Sequence, residues 1–134
     1  MSQQVTNQKG AFMWSAGGWF GSQVGGTLWM LLVGIGLGFQ DIRPAAALIA
    51  AFILCNVIGT WLWLKRDVIA AYPAIQILLG AIGICALASI LTVDALGYIP
   101  PGARFHSYWW LIFVPVLMLM FHFREKSARR QQAR

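Results

Sequence analysis

Charge is what this chain has least of. Of its 134 residues only 10% are Asp, Glu, Lys or Arg, and just four are acidic, where an ordinary soluble domain carries about a quarter charged residues. With 59% hydrophobic residues and a mean hydropathy of +0.67, the chain cannot clothe a water-facing surface, and a disordered chain is excluded by the same figures. Cysteine is scarce too. Cys55 and Cys85 are the only two, too few for a disulfide scaffold, and no Cys-x-x-Cys or Cys-His spacing suggests a metal site.

Four apolar runs contain no Asp, Glu, Lys or Arg at all. Proton-coupled carriers usually hold a carboxylate or histidine within the membrane, and voltage sensors hold arginines there, so neither class is expected. His106 and His122 make neither a haem pair nor a metal cluster. Gly34, Gly36 and Gly38 spell GxGxG, but no strand precedes them, and a dinucleotide site fails on context. No Ser, His and acid set lies at one depth for hydrolysis. We therefore expect no enzyme activity, no catalytic residue, no metal and no cofactor.

What is present is a set of spans. A hydrocarbon core about 30 Å thick takes about 20 helical residues to cross. Residues 17–39, 45–64, 72–93 and 108–123 meet that length or approach it. The expected fold is all-α, a polytopic integral membrane protein forming a four-transmembrane-helix bundle (17–123), with a polar N-terminal segment (1–16) and a basic tail (124–134). Helix is required because an open strand would leave backbone groups unpaired in lipid. Asp41 is a candidate cap for the second helix, and Pro44 and Pro73 suit first turns. Gly97, Pro100, Pro101 and Gly102 end the third helix in a turn-rich loop. Residues 1–16 lack the basic region and compact apolar run of a cleaved signal peptide, so the first span is read as retained.

Orientation follows the distribution of Lys and Arg, which favour the cytoplasmic side. With both termini cytoplasmic, that side holds Lys9, Lys65, Arg66 and the five basic residues between Arg124 and Arg134, against Arg43 and Arg104 opposite. The expected location is the bacterial inner membrane. The net charge of +6 is accounted for by topology and anionic headgroups, and no nucleic-acid motif accompanies it. Asp94, near Arg104 or His106, is expected to be a rim salt bridge or a solvated acid rather than a coupling site.

The first span is the richest in small residues. Gly17, Gly21 and Gly25 form one ridge, with Gly18, Ser22 and Gly26 beside it, and such small-xxx-small spacing lets helix backbones approach closely. Two ridges exceed what one neighbouring helix can cover, so the first helix is expected to be central and to form a homo-oligomer interface. On the second, Ala47, Ala51, Cys55 and Gly59 offer it a matching stripe. Trp29, in mid-span, is read as filling core beside glycine, with a cavity wall as the alternative. Pro115 should leave the carbonyl of Leu111 unpaired or kink the fourth helix.

Gln23, Asn56 and Gln76 all fall in the cytoplasmic half of their spans, with Thr27 and Thr60 one turn from the first two. The expectation is that Gln23, Thr27, Asn56, Thr60 and Gln76 meet, either as the lining of a pore or recess or as interhelical glue. Asn56-Val-Ile-Gly59-Thr60 resembles the Asn-x-x-Gly-Ser/Thr segment of small four-helix fluoride channels. Those channels carry a phenylalanine-rich broken third helix, and residues 81–91 here contain no phenylalanine, so membership is not adopted. The function expected from sequence is a passive channel or a transporter-like binding recess for a small solute. The alternative is a non-catalytic assembly or accessory subunit. The partners expected are the lipid bilayer, further copies of the chain and other membrane subunits.

Overall fold

The computed structural model describes residues 10–134; Lys9 of the topological count and most of the polar segment 1–16 lie outside it. The described residues are all-helical, without strands, and four of the helical stretches are long and apolar enough to cross a membrane. Helix α1 spans Ala16–Gly38, α2 Ile42–Leu64 and α3 Ala71–Ala95. The fourth stretch is continuous from Pro101 to Gln132. Within it a 3-10 turn (Pro101–Ala103) leads into α4 (Arg104–Trp109), a second 3-10 turn (Trp110–Ile112) and α5 (Phe113–Gln132).

Local chemistry sets these limits. Ser15 Oγ accepts from Gly18 N at 3.1 Å and Asp41 Oδ1 from Arg43 N at 2.9 Å, each covering a backbone donor that the first helical turn leaves unpaired. At the end of α3, Gly97 adopts φ +80°. Its N–H donates to Asp94 O at 2.9 Å and that of Tyr98 to Val93 O at 3.1 Å, the two-bond closure that needs a left-handed residue. The fourth stretch differs from the single helix over 108–123. Its helix tightens to 3-10 over Trp110–Ile112, ahead of Pro115, which has no N–H for the Leu111 carbonyl. The basic tail is not separate: α5 continues through it to Gln132.

The helices pack in chain order, α1 on α2, α2 on α3, and α3 on α4 and α5, with α1 touching α3 lightly. The buried stripes are spaced three and four apart: Trp19, Gln23, Thr27, Met30 and Gly34 on α1, and Leu48, Ala51, Cys55, Gly59 and Leu62 on α2. The side facing out is the more apolar, as with Leu32, Val57 and Ile84, the inverse of a soluble helix. Within one chain α1 is an edge helix rather than a central one. It is buried over 22% of its most apolar stretch, against 33% for α2 and α3, because α5 docks on α3 and leaves the other flank of α1 uncovered.

Candidate functional site

Four of the five polar side chains singled out in the sequence meet, and they do so in the seam between α1 and α2. Gln23 Nε2 donates to the backbone carbonyl of Asn56 at 2.9 Å, to Asn56 Oδ1 at 3.1 Å and to Thr60 Oγ1 at 3.4 Å. Asn56 Nδ2 donates to Thr27 Oγ1 at 3.0 Å and to Phe52 O at 2.8 Å. Thr27 Oγ1 itself donates to Gln23 O at 2.8 Å. Gly59 makes this seam possible, since a side-chain carbon there would lie 2.5 Å from Gln23 Cδ. Gln23 Oε1 is buried without a hydrogen-bond donor. A side-chain carbon at Gly59 would stand 2.5 Å from it, so only glycine leaves this oxygen room. Trp19 Nε1 closes the seam by donating to Gly59 O at 3.0 Å.

Gln76 is not part of this cluster. It lies on the opposite flank of the bundle, where its Nε2 donates to Met118 O at 3.0 Å. One turn away Tyr72 OH is 2.9 Å from His122 Nδ1, so two side chains four residues apart on α3 bind two positions four residues apart on α5. That pairing of spacings is present in the sequence, which does not show which flank of α3 meets His122.

Between α1 and α5, with α3 as its floor, runs a groove of about 960 Å³. Its walls are Gly18, Ser22, Gly26, Trp29 and Val33 from α1, Leu78, Ile82, Ala86 and Ile90 from α3, and Trp110, Val114, Leu117 and Phe121 from the fourth stretch. Among the described residues the only other hydroxyls along it are those of Ser15 and Ser107, and none of Gln23, Thr27, Asn56, Thr60 or Gln76 lines it. Trp29 does not fill core: it stands in the groove wall, 37% exposed, because the flank of α1 beyond the α2 seam meets only α3, and that lightly. Cys55 and Cys85 are free, buried packing residues.

Each end of the groove is tied by polar contacts. At the end carrying the termini, residues 10–15 pass from α1 to α5. Ala11 N donates to the buried Glu125 Oε2 at 2.8 Å, and Glu125 Oε1 accepts from Arg129 Nε at 2.8 Å. Phe12 packs on Phe121 at 5.1 Å between centroids, and Trp14 Nε1 donates to Ile69 O at 3.1 Å. Glu125 was not among the residues singled out in the sequence. At the far end Asp41 is bound by Arg43 at 2.6 Å and by Tyr98 OH at 3.0 Å. Asp94 is bound by Arg104 at 2.9 Å and by Tyr108 OH at 3.0 Å, a rim salt bridge rather than a solvated acid. The Arg43 side chain, its backbone N–H and the Tyr98 hydroxyl hold the Asp41 carboxyl well below the usual range. Partial burial, then Asp41, push the Tyr98 hydroxyl up.

The two glycine ridges are not equivalent. Gly18 and Gly26 face neighbours within the chain, a side-chain carbon there meeting Ser15 Oγ at 2.9 Å and Ile82 Cδ1 at 3.3 Å respectively. At Gly17, Gly21 and Gly25 it would meet nothing within 4 Å. Among the described residues no group of three His, Cys, Asp or Glu is placed to hold a metal. No protein-family model, curated protein or solved structure matches this chain.

Proposed function

We propose that this chain is a non-catalytic assembly subunit of the membrane, and that its working surface is the groove between α1 and α5, which receives a transmembrane helix. The observation that carries the reading is the groove itself, about 960 Å³, whose described lining is apolar apart from three serine hydroxyls and the indole N–H groups of its tryptophans. Its three walls present side chains three and four residues apart, such as Gly18, Ser22, Gly26, Trp29 and Val33, the spacing with which helices receive one another. A bacterial inner-membrane location with both termini cytoplasmic is part of the proposal, supported by the Lys and Arg distribution.

The experiment is site-specific photo-cross-linking in the native membrane, from a photoreactive side chain at Val33 in the groove and at Ile84 outside it. Peptide sequencing of the adducts should identify an apolar transmembrane segment at Val33 and lipid alone at Ile84. Lipid alone at both positions would overturn the reading.

A second reading is a passive path or recess for a small solute lined by Gln23, Thr27, Asn56 and Thr60. It draws on Gln23 Oε1, which lacks a donor. The first reading is preferred because the other polar groups of the seam bond to one another. Solute flux that Asn56→Leu abolishes without changing assembly would reverse that preference.

A further inference from the structure

We infer that the helix received by the groove is α1 of a second copy of this chain, the two copies related by a two-fold axis along the membrane normal and each inserting α1 beside the other's α5. This rests on the helix-receiving reading above and commits it to one occupant.

The length of the groove argues for a helix. Along α3 it is lined from Ala71 to Val93, roughly 33 Å at 1.5 Å per residue, which is the full hydrocarbon thickness of about 30 Å. A lipid acyl chain belongs to one leaflet and would fill only half of it.

The shape of the walls argues for this helix. The α5 wall is bulky, with Val114, Leu117 and Phe121. The same chain carries a ridge of the opposite character, Gly17, Gly21 and Gly25, with no atom within 4 Å of the side-chain positions. A small-residue ridge lets a neighbouring helix and its large side chains come close.

The depths agree. Gly21 is five residues into α1 and Gln76 five into α3, both counted from the end that carries the termini. Gln76 is hydrogen-bonded to Met118 O, so Gly21 and the Leu117–Met118 step share a depth of about 8 Å. A two-fold axis along the membrane normal preserves depth, and so brings Gly21 of one copy level with Leu117 of the other. Charge does not oppose the pairing, because among the described residues no Asp, Glu, Lys or Arg lines the groove. A surface and its complement on one chain, related by a closing two-fold, give a finite pair rather than a filament.

The test uses full-length chains in membranes, with Cys55→Ala and Cys85→Ala in both. One tagged copy carries Gly21→Cys and a differently tagged copy carries Leu117→Cys. Oxidation should yield the mixed-tag disulfide, and replacing Leu117→Cys by Ile84→Cys should abolish it. Native mass spectrometry of the unmodified chain should give a two-copy mass, and Gly21→Leu should lose it while circular dichroism stays unchanged. A one-copy mass without the mixed disulfide overturns the inference. If the groove then cross-links to a transmembrane segment of a different protein, only the second-copy inference fails. If it retains lipid alone, the helix-receiving reading fails with it.

Discussion

The amide of Gln23 occupies the space that any side chain at Gly59 would need. A carbon added at Gly59 would sit 2.5 Å from Gln23 Cδ and 2.9 Å from Cγ, so α1 and α2 approach closely where an amide must bridge them. Gly59→Ala should therefore destabilise the protein by roughly 1–3 kcal/mol, the range for overpacking a well-filled interior. Gln23→Ala in the same chain should recover part of that loss by vacating the space. Thermal unfolding in detergent of both single variants and the double variant measures the coupling; additive losses would mean the two residues do not compete for one volume.

Asn56 is the hub of the same seam, bonding Thr27 and Phe52 and accepting from Gln23. Interhelical hydrogen bonds in membranes average about 0.6 kcal/mol with a maximum near 1.7. Asn56→Leu should cost on the order of 1 kcal/mol and leave the chain folded, because Gln23 Nε2 keeps the backbone carbonyl of residue 56. Complete unfolding by this one change would be too large for a seam of that kind.

The strap from Gly10 to Ser15 depends on Glu125. Its carboxylate takes the Ala11 N–H at 2.8 Å, and it is 4% exposed. Glu125→Ala leaves a half-buried backbone donor without a partner, at a cost of about 1–3 kcal/mol. Limited proteolysis should then cut near Phe12 faster than in the parent protein, with the four membrane spans intact. Equal rates would show that the aromatic contacts of Phe12 and Trp14 suffice to hold the strap.

The far rim should respond to pH at both extremes. Asp41 titrates below its ordinary range, so its stabilising contribution is present above that range and is lost as pH falls through the lowered value. Tyr98 titrates above its ordinary range, so its contribution is full below about pH 10 and is lost as pH rises past the raised value. Hydrogen exchange at the Arg43 amide should be slow across the neutral range and accelerate at strongly acid pH beyond the intrinsic trend. Asp41→Asn should remove the acid limb and weaken the alkaline one, because burial alone then holds the Tyr98 hydroxyl up.

The first three spans and the capping were legible in the sequence because each is a local property, whereas the fourth stretch runs well beyond the expected 108–123. The four apolar runs, the Asp41 cap, the Gly97 turn and the Asp94–Arg104 pair all follow from neighbours along the chain. Gln23, Asn56, Thr27 and Thr60 were legible as a cluster because the first two helices are antiparallel neighbours, and residues at equal depth on them had to meet. Gln76 shared that depth but lies on the flank of α3 that faces α5, and hydropathy carries no information about which flank that is. The groove was invisible for the same reason: it exists because α5 docks on α3 and leaves α1 uncovered, a choice among apolar faces of similar composition. Trp29 was misread in consequence. Glu125 was hidden by its basic neighbours, since a buried carboxylate capturing a backbone N–H has no sequence spacing of its own.

The central claim is that a helix covers the groove, and the collision accessibility of a spin label at Val33 tests it most directly. With Cys55→Ala and Cys85→Ala, labels are placed at Val33→Cys and at Ile84→Cys in native-membrane nanodiscs, and their exposure to dissolved oxygen is compared. Val33 is 45% exposed and Ile84 71% exposed in the isolated chain, so both labels would meet lipid if nothing filled the groove. Oxygen accessibility at Val33 should fall several-fold below that at Ile84. Equal accessibility at the two positions would contradict the claim.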